Sequence, residues 1–189
     1  MRWPIFALFA YLFLVLEVSL RNVLILGPVG PSFVIVLVVF VSLFAPRMTA
    51  LWACWILGLL ADLCTPLMQG ADMVGPLIGP HALGYVFGGY LILQLRAMLF
   101  RRRALTLAVM TAISLTAASL VVVFIYAVHG WYPGEALAWA DMRPVGELLR
   151  RLGVALYSGL LALLIGPVLV WTAPAWAFRA GSQPHMVRR

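Results

Sequence analysis

Charge is what this sequence has least of. Charged residues fill 10% of its 189 positions, against 65% hydrophobic ones; a soluble domain carries roughly a quarter charged and about half apolar residues. Too little polar surface is left to face water, so a soluble globular domain is excluded and lipid is the expected solvent. Lysine is absent, and all 13 basic residues are arginine, a bias that points to no function. Cysteine is limited to Cys54 and Cys64. On one helix their separation corresponds to about 15 Å, too far for a disulfide, and neither has a Cys or His at metal-ligand spacing. Catalytic signatures are missing too: there is no GxSxG, no HExxH, no Walker loop and no pair of intramembrane aspartates. The sequence therefore supports no enzyme class, no metal and no cofactor. The net charge of +7 would suggest nucleic acid in a soluble chain; here it reads as membrane orientation, and no nucleic-acid partner is expected.

What the sequence has is apolar runs. A bilayer crossing takes about 20 mostly apolar residues, and runs at about 3–20, 29–45, 48–63, 81–95, 104–128 and 152–178 use up the chain. The expectation is an all-α integral membrane protein, a six-helix transmembrane bundle over 1–178, followed by a cytoplasmic tail at 179–189. The first run is longer than a signal-peptide core and lacks a small-residue cleavage site, so it is expected to remain as a helix. Pro31 suits the first turn of the second helix, and Pro46-Arg47 makes a tight turn into the third. Between 64 and 80, Pro66, Gly70, Gly75, Pro76, Gly79 and Pro80 predict a loop. A polar connection spans 129–151, and its last residues, 146–151, can start the next helix early. Gly166-Pro167 predicts a kink in the last helix.

Arginine counts orient the bundle. The N-terminus, the second-to-third and fourth-to-fifth connections and the tail hold Arg2, Arg47, Arg96, Arg101, Arg102, Arg103, Arg179, Arg188 and Arg189. The opposite side holds only Arg21, Arg143, Arg150 and Arg151. The arginine-rich side is the cytoplasmic one by the positive-inside rule, which puts both chain ends in the cytoplasm. Arg101, Arg102 and Arg103 are expected to contact anionic lipid headgroups or a cytoplasmic protein. Trp131, Tyr132 and Trp139 read as interfacial anchors.

Charges inside a membrane segment cost a few kcal/mol each on insertion scales, so Glu17 and Asp62 need a reason. Glu17 precedes Arg21 by four residues, the favourable order for an ion pair; it either pairs at the membrane boundary or faces a polar cavity or a partner helix. Asp62 follows Ala50, Cys54 and Gly58 on one face of the third helix, a small-residue face suited to close packing. It is either a boundary carboxylate in water or a pocket residue. Gly84 and Gly88 form a GxxxG pattern, read as a packing face within the bundle or against a partner. His81 starts the fourth helix, as a structural residue or a ligand.

The run Gly58-Leu-Leu-Ala-Asp62-Leu63, followed after a loop by Gly79-Pro-His-Ala-Leu-Gly-Tyr85, resembles the rod shape-determining protein MreD family. So do Pro31 ahead of a long aliphatic helix ending in Ala45-Pro46-Arg47, and Ala155-Leu-Tyr157-Ser-Gly-Leu-Leu161 ahead of Pro167. The likeness covers nearly the whole chain in segment order and concentrates between Pro31 and Leu95; the loop from Asp62 to Gly79 is longer than is usual for the family. The resemblance implies a non-enzymatic scaffold subunit of the bacterial cell-wall elongation machinery in the inner membrane, bound to MreC and working through it with MreB, RodA and its transpeptidase partner. It also implies a fold similar to the substrate-binding subunits of energy-coupling-factor transporters. Gly58, Asp62 and Gly79 match the motif and would shape the periplasmic mouth; no catalytic residue carries over. A partner's single membrane helix is expected to lie against the Gly84–Gly88 face. The alternative is a substrate-binding subunit of a small-molecule, vitamin-type transporter, with a pocket lined by groups such as Glu17, Asp62 and His81. Against it, no Ala-x-x-x-Ala docking surface occurs in the first two segments.

Overall fold

The computed structural model describes residues 1–21, 23–64, 68–69, 72–73, 78–97, 104–129 and 144–178. The described residues are all-α in architecture. Six helices follow one another: α1 (Trp3–Leu20), α2 (Val34–Phe44), α3 (Arg47–Cys64), α4 (Pro80–Leu95), α5 (Ala104–His129) and α6 (Pro144–Thr172), with a 3-10 turn at Ala173–Trp176. A two-residue antiparallel pairing, Met68–Gln69 with Asp72–Met73, punctuates the expected loop between α3 and α4.

Four helical stretches are long and apolar enough to cross a membrane: Trp3–Leu20, Arg47–Cys64, Leu105–Val128 and Val145–Trp176. The chain is therefore a multi-pass membrane protein in character. The 11-residue α2 and the 16-residue α4 are shorter. By the 1.5 Å rise per residue, α2 is about 16 Å long, roughly half a hydrocarbon core.

Two helices begin elsewhere than the apolar runs predict. The second starts at Val34 rather than near 29, because Pro31 sits not in a first helical turn but in a buried non-helical lead at 30–33. The last starts at Pro144, ahead of 152. Proline fits a helix start, where its missing N–H is not needed, and Glu147 in the first turn bonds to Arg150 and Arg151 one turn on. The helix then runs without interruption through Pro167.

Helix α2 is the core. Every residue from Val34 to Leu43 is buried, and α2 touches each of the other five helices. Around it, α3, α4, α5 and α6 pack antiparallel in chain order. Helix α1 lies at the edge: it buries Phe6, Ala10 and Phe13, one stripe, and exposes Leu8, Tyr11, Leu12, Val15 and Val18.

Small residues set the spacing, as expected where lipid removes the hydrophobic drive and close van der Waals packing holds helices together. A methyl built on Gly58 would lie 2.7 Å from the His81 carbonyl oxygen, so α3 and α4 meet there backbone to backbone. A methyl on Gly89 would meet Cys54 Sγ at 2.6 Å. Gly84 and Gly88 face α5, where a methyl would come within 2.9 Å of the Ala118 carbonyl oxygen and 2.6 Å of Ser114 Oγ. The GxxxG face is thus occupied inside the chain and is not open to a partner's helix. Hydroxyls in the helices return to the carbonyl one turn back, as Ser42 does to Val38, Thr111 to Leu107 and Ser158 to Val154. Ser114 Oγ is buried without a hydrogen-bond partner among the described residues.

The two ends of the bundle differ. At one, the 3-10 turn folds back so that Trp176, fully buried, packs against Phe9 (4.9 Å between centroids) and Phe40 (5.3 Å), with Phe178 stacked on it at 5.6 Å. The Arg2 N–H donates to the Trp176 carbonyl at 3.0 Å, tying the start of α1 to the end of α6. Arg96, at the end of α4, donates to the carbonyls of Ala45 (2.7 Å) and Ser42 (3.3 Å). These are carbonyls at the end of α2, which have no partner within their own helix. The opposite end carries the carboxylates.

Candidate functional site

At the carboxylate end, α1, α3 and α5 finish and α2, α4 and α6 begin, so three helix N-termini converge. Each leaves up to four backbone N–H groups unpaired, and in lipid each must find an acceptor within the protein. Two of the three are served by a carboxylate from another helix.

Glu17, in the last turn of α1, serves α2. Its Oε2 accepts from the Phe33 N–H, from the Val34 N–H at 3.2 Å and from the Ser32 hydroxyl at 3.3 Å. The expected Glu17–Arg21 pair is present but loose: Arg21 Nη1 stands 4.0 Å from Oε1. The main partners of Glu17 are therefore the amides of α2, not Arg21, and nothing in the sequence spacing pointed to them. The negative charge also complements the positive end of the α2 dipole, while Arg96 does the same at its negative end.

Asp62 serves α4. Its side chain is 1% exposed, which removes the reading of a boundary carboxylate in water. Oδ2 accepts from the N–H of Gly79 (2.9 Å) and Ala82 (3.2 Å); Oδ1 accepts from the N–H of His81 (3.0 Å) and lies 2.8 Å from His81 Nδ1. Gly79 takes a φ of +133° in the residue before Pro80, a conformation that side chains disfavour. Gly58, one turn before Asp62 on α3, provides the close approach that lets the carboxylate reach. The three motif residues Gly58, Asp62 and Gly79, with His81, thus form one joint between α3 and α4.

The third carboxylate is Glu147, in the first turn of α6 and almost fully buried. Arg150 grips it with two bonds, Nε to Oε2 at 2.8 Å and Nη2 to Oε1 at 2.7 Å, and Arg151 Nε donates to Oε1 at 2.7 Å. Sequence reasoning placed these residues in a polar connection and did not connect them with the site. The signal was there: an acid with arginines three and four positions later is a helical pattern.

Between these groups lies a cavity of about 440 Å³, within the range of small-molecule sites. Glu17, Arg21, His81, Glu147, Arg150 and Arg151 line it as charged or titratable groups; Ser32, Tyr85, Ser119 and Tyr126 add hydroxyls. Leu14, Val18, Leu115, Val122 and Val154 supply apolar wall. From Tyr126 to Leu115 the cavity follows α5 for about 16 Å.

Of the residues singled out from the sequence, Glu17, Arg21 and His81 line this cavity, and Asp62 lies behind His81. Gly84 and Gly88 pack on α5 and do not line it themselves. Arg101, Arg102 and Arg103, Trp131, Tyr132 and Trp139, and the tail from 179 to 189 lie outside the described residues. Among the described residues, no three His, Cys, Asp or Glu side chains gather as a metal ion would require. Comparison with protein-family models, with curated proteins and with solved structures finds no match.

Proposed function

We propose that this chain is a non-enzymatic membrane subunit of the bacterial cell-wall elongation complex, of the MreD type, which acts by holding an MreC-like bitopic partner. The observation that carries the reading is the α3–α4 joint. The residues quoted for the resemblance, Gly58, Asp62, Gly79 and His81, come from two separate runs yet meet through a backbone contact and three hydrogen bonds, with a fourth from the Ala82 N–H. A motif whose members depend on one another in this way is a reason to take the resemblance as more than shared composition.

The finer topology belongs to the same proposal: six crossings in the inner membrane, both ends cytoplasmic. Its support is that Arg2, Arg47 and Arg96 share the aromatic end, whereas Arg21, Arg150 and Arg151 share the end that carries the three carboxylates. MreB, RodA and its transpeptidase partner would be reached through the bitopic protein.

A second reading, a substrate-binding membrane subunit of a small-molecule transporter, is favoured by one observation, the cavity. Affinity purification of the tagged protein from its native membranes, with mass spectrometry of what accompanies it, separates the two. Recovery of an MreC-like protein with wall synthases is the expected result. Paired ATPase subunits without wall proteins would overturn it.

A further inference from the structure

The cavity at the carboxylate end has more unused donors than unused acceptors: of its carboxylate oxygens, Glu17 Oε1 alone makes no hydrogen bond among the described residues, and Arg21 Nη1 stands 4.0 Å from it. Glu17 Oε2 already takes three hydrogen bonds. Both oxygens of Glu147 are taken by Arg150 and Arg151, and both oxygens of Asp62, behind His81, are taken twice over. The guanidiniums are not used up in this way. Each carries five N–H donors in a planar fork. Arg151 contributes only Nε, its side chain is 16% exposed, and its two terminal nitrogens have no hydrogen-bond partner among the described residues. Arg150 retains Nη1, and Arg21 makes only the 4.0 Å contact with Glu17.

A ligand that satisfies the unused arginine donors must bring acceptors. In a recess of low dielectric between membrane helices, a charged acceptor gains most, and the arginine fork matches a carboxylate or phosphate in two-point geometry. Leu115, Val122 and Val154 make part of the lining apolar, which suits a ligand with a hydrocarbon portion. We propose that the cavity binds an amphiphile whose head is a carboxylate or phosphate, seated on Arg151 with Arg150 and Arg21 beside it. The head can belong to a soluble organic anion or to a membrane phospholipid. This inference holds whether the chain is a scaffold or a transporter subunit, because it concerns only what the cavity takes.

The test uses the full chain, delipidated in dodecyl maltoside, with unfolding followed by tryptophan fluorescence. Octanoate, octyl phosphate and dioctanoyl phosphatidylglycerol are titrated, with octyl glucoside as the uncharged control. Saturable stabilisation by at least one anion, absent with octyl glucoside, is expected. Stabilisation by octanoate or octyl phosphate assigns a soluble anion; stabilisation by the phosphatidylglycerol alone assigns a lipid headgroup. Arg151→Gln should weaken the binding by about tenfold or more. Since that change also disturbs Glu147, Val154→Trp provides a second variant, which fills the cavity and leaves the charges in place; it should abolish the response. No saturable response to any of the three anions, an equal response to octyl glucoside, or undiminished binding in both variants would overturn the proposal.

Discussion

Replacing Asp62 tests the account of the α3–α4 joint most directly. Losing an N-cap side chain costs about 1 kcal/mol, up to about 2. Here one carboxylate serves three backbone amides and a histidine ring nitrogen, and a buried donor left without an acceptor costs about 1–3 kcal/mol. Ala82 is 2% exposed, so its amide stays orphaned in Asp62→Leu; Gly79 and His81 are half-buried and can recover water. The sum is offset in part because no charge is buried any longer. Asp62→Leu should therefore destabilise the protein by about 3 kcal/mol. Asp62→Asn keeps one accepting oxygen and should cost about 1 kcal/mol. The measurement is SDS-induced unfolding in mixed micelles, followed by tryptophan fluorescence, on protein purified without partners. Asp62→Leu within about 0.5 kcal/mol of the parent, the usual range for an inconsequential substitution, would refute the cap. So would Asp62→Asn as damaging as Asp62→Leu, since the oxygen that remains would then count for nothing.

Gly58→Ala should destabilise the isolated protein by about 1–3 kcal/mol in the same assay, because the new methyl meets backbone, which cannot rotate away. Gly88→Leu should lower stability without any partner present, since that face packs on α5; a mutant as stable as the parent that loses only partner capture would reverse this placement. Arg96→Gln should cost about 1 kcal/mol through weaker bonds to the Ser42 and Ala45 carbonyls. No change on SDS unfolding would mean that water serves those carbonyls equally well.

Apolar run length made α1, α3, α4 and α5 legible, because in lipid a helix must satisfy its own backbone and a long apolar stretch has few alternatives. The starts of α2 and α6 were not legible in that way. Pro31 fits a helix start by propensity, but the first amides of α2 find their acceptor on Glu17, which local sequence cannot show. The α6 start is polar because Glu147 pairs with Arg150 and Arg151 within about one turn, so hydropathy reads it as a connection. The site was half legible. Glu17 and Asp62 stood out because an unexplained membrane charge is costly, yet each proved to serve a helix start on a different segment. A pocket at Glu17, Asp62 and His81 was expected only on the transporter reading, and the α5 and α6 residues that line the cavity were not legible, since they depend on how those helices lie beside α1 and α4.

The dependence of α2 on other segments has a consequence for biogenesis. A segment that is half a bilayer long when helical, with one end held by Glu17 and the other by Arg96, lacks what an autonomous insertion unit needs. Glu17 is synthesised before it and Arg96 well after it, so a nascent chain that stops short of α4 offers only one of the two anchors. Helix α2 should then settle into the membrane late, together with α3 and α4 as one cooperative step, and chains arrested before Arg96 should be the ones that membrane quality-control proteases recognise.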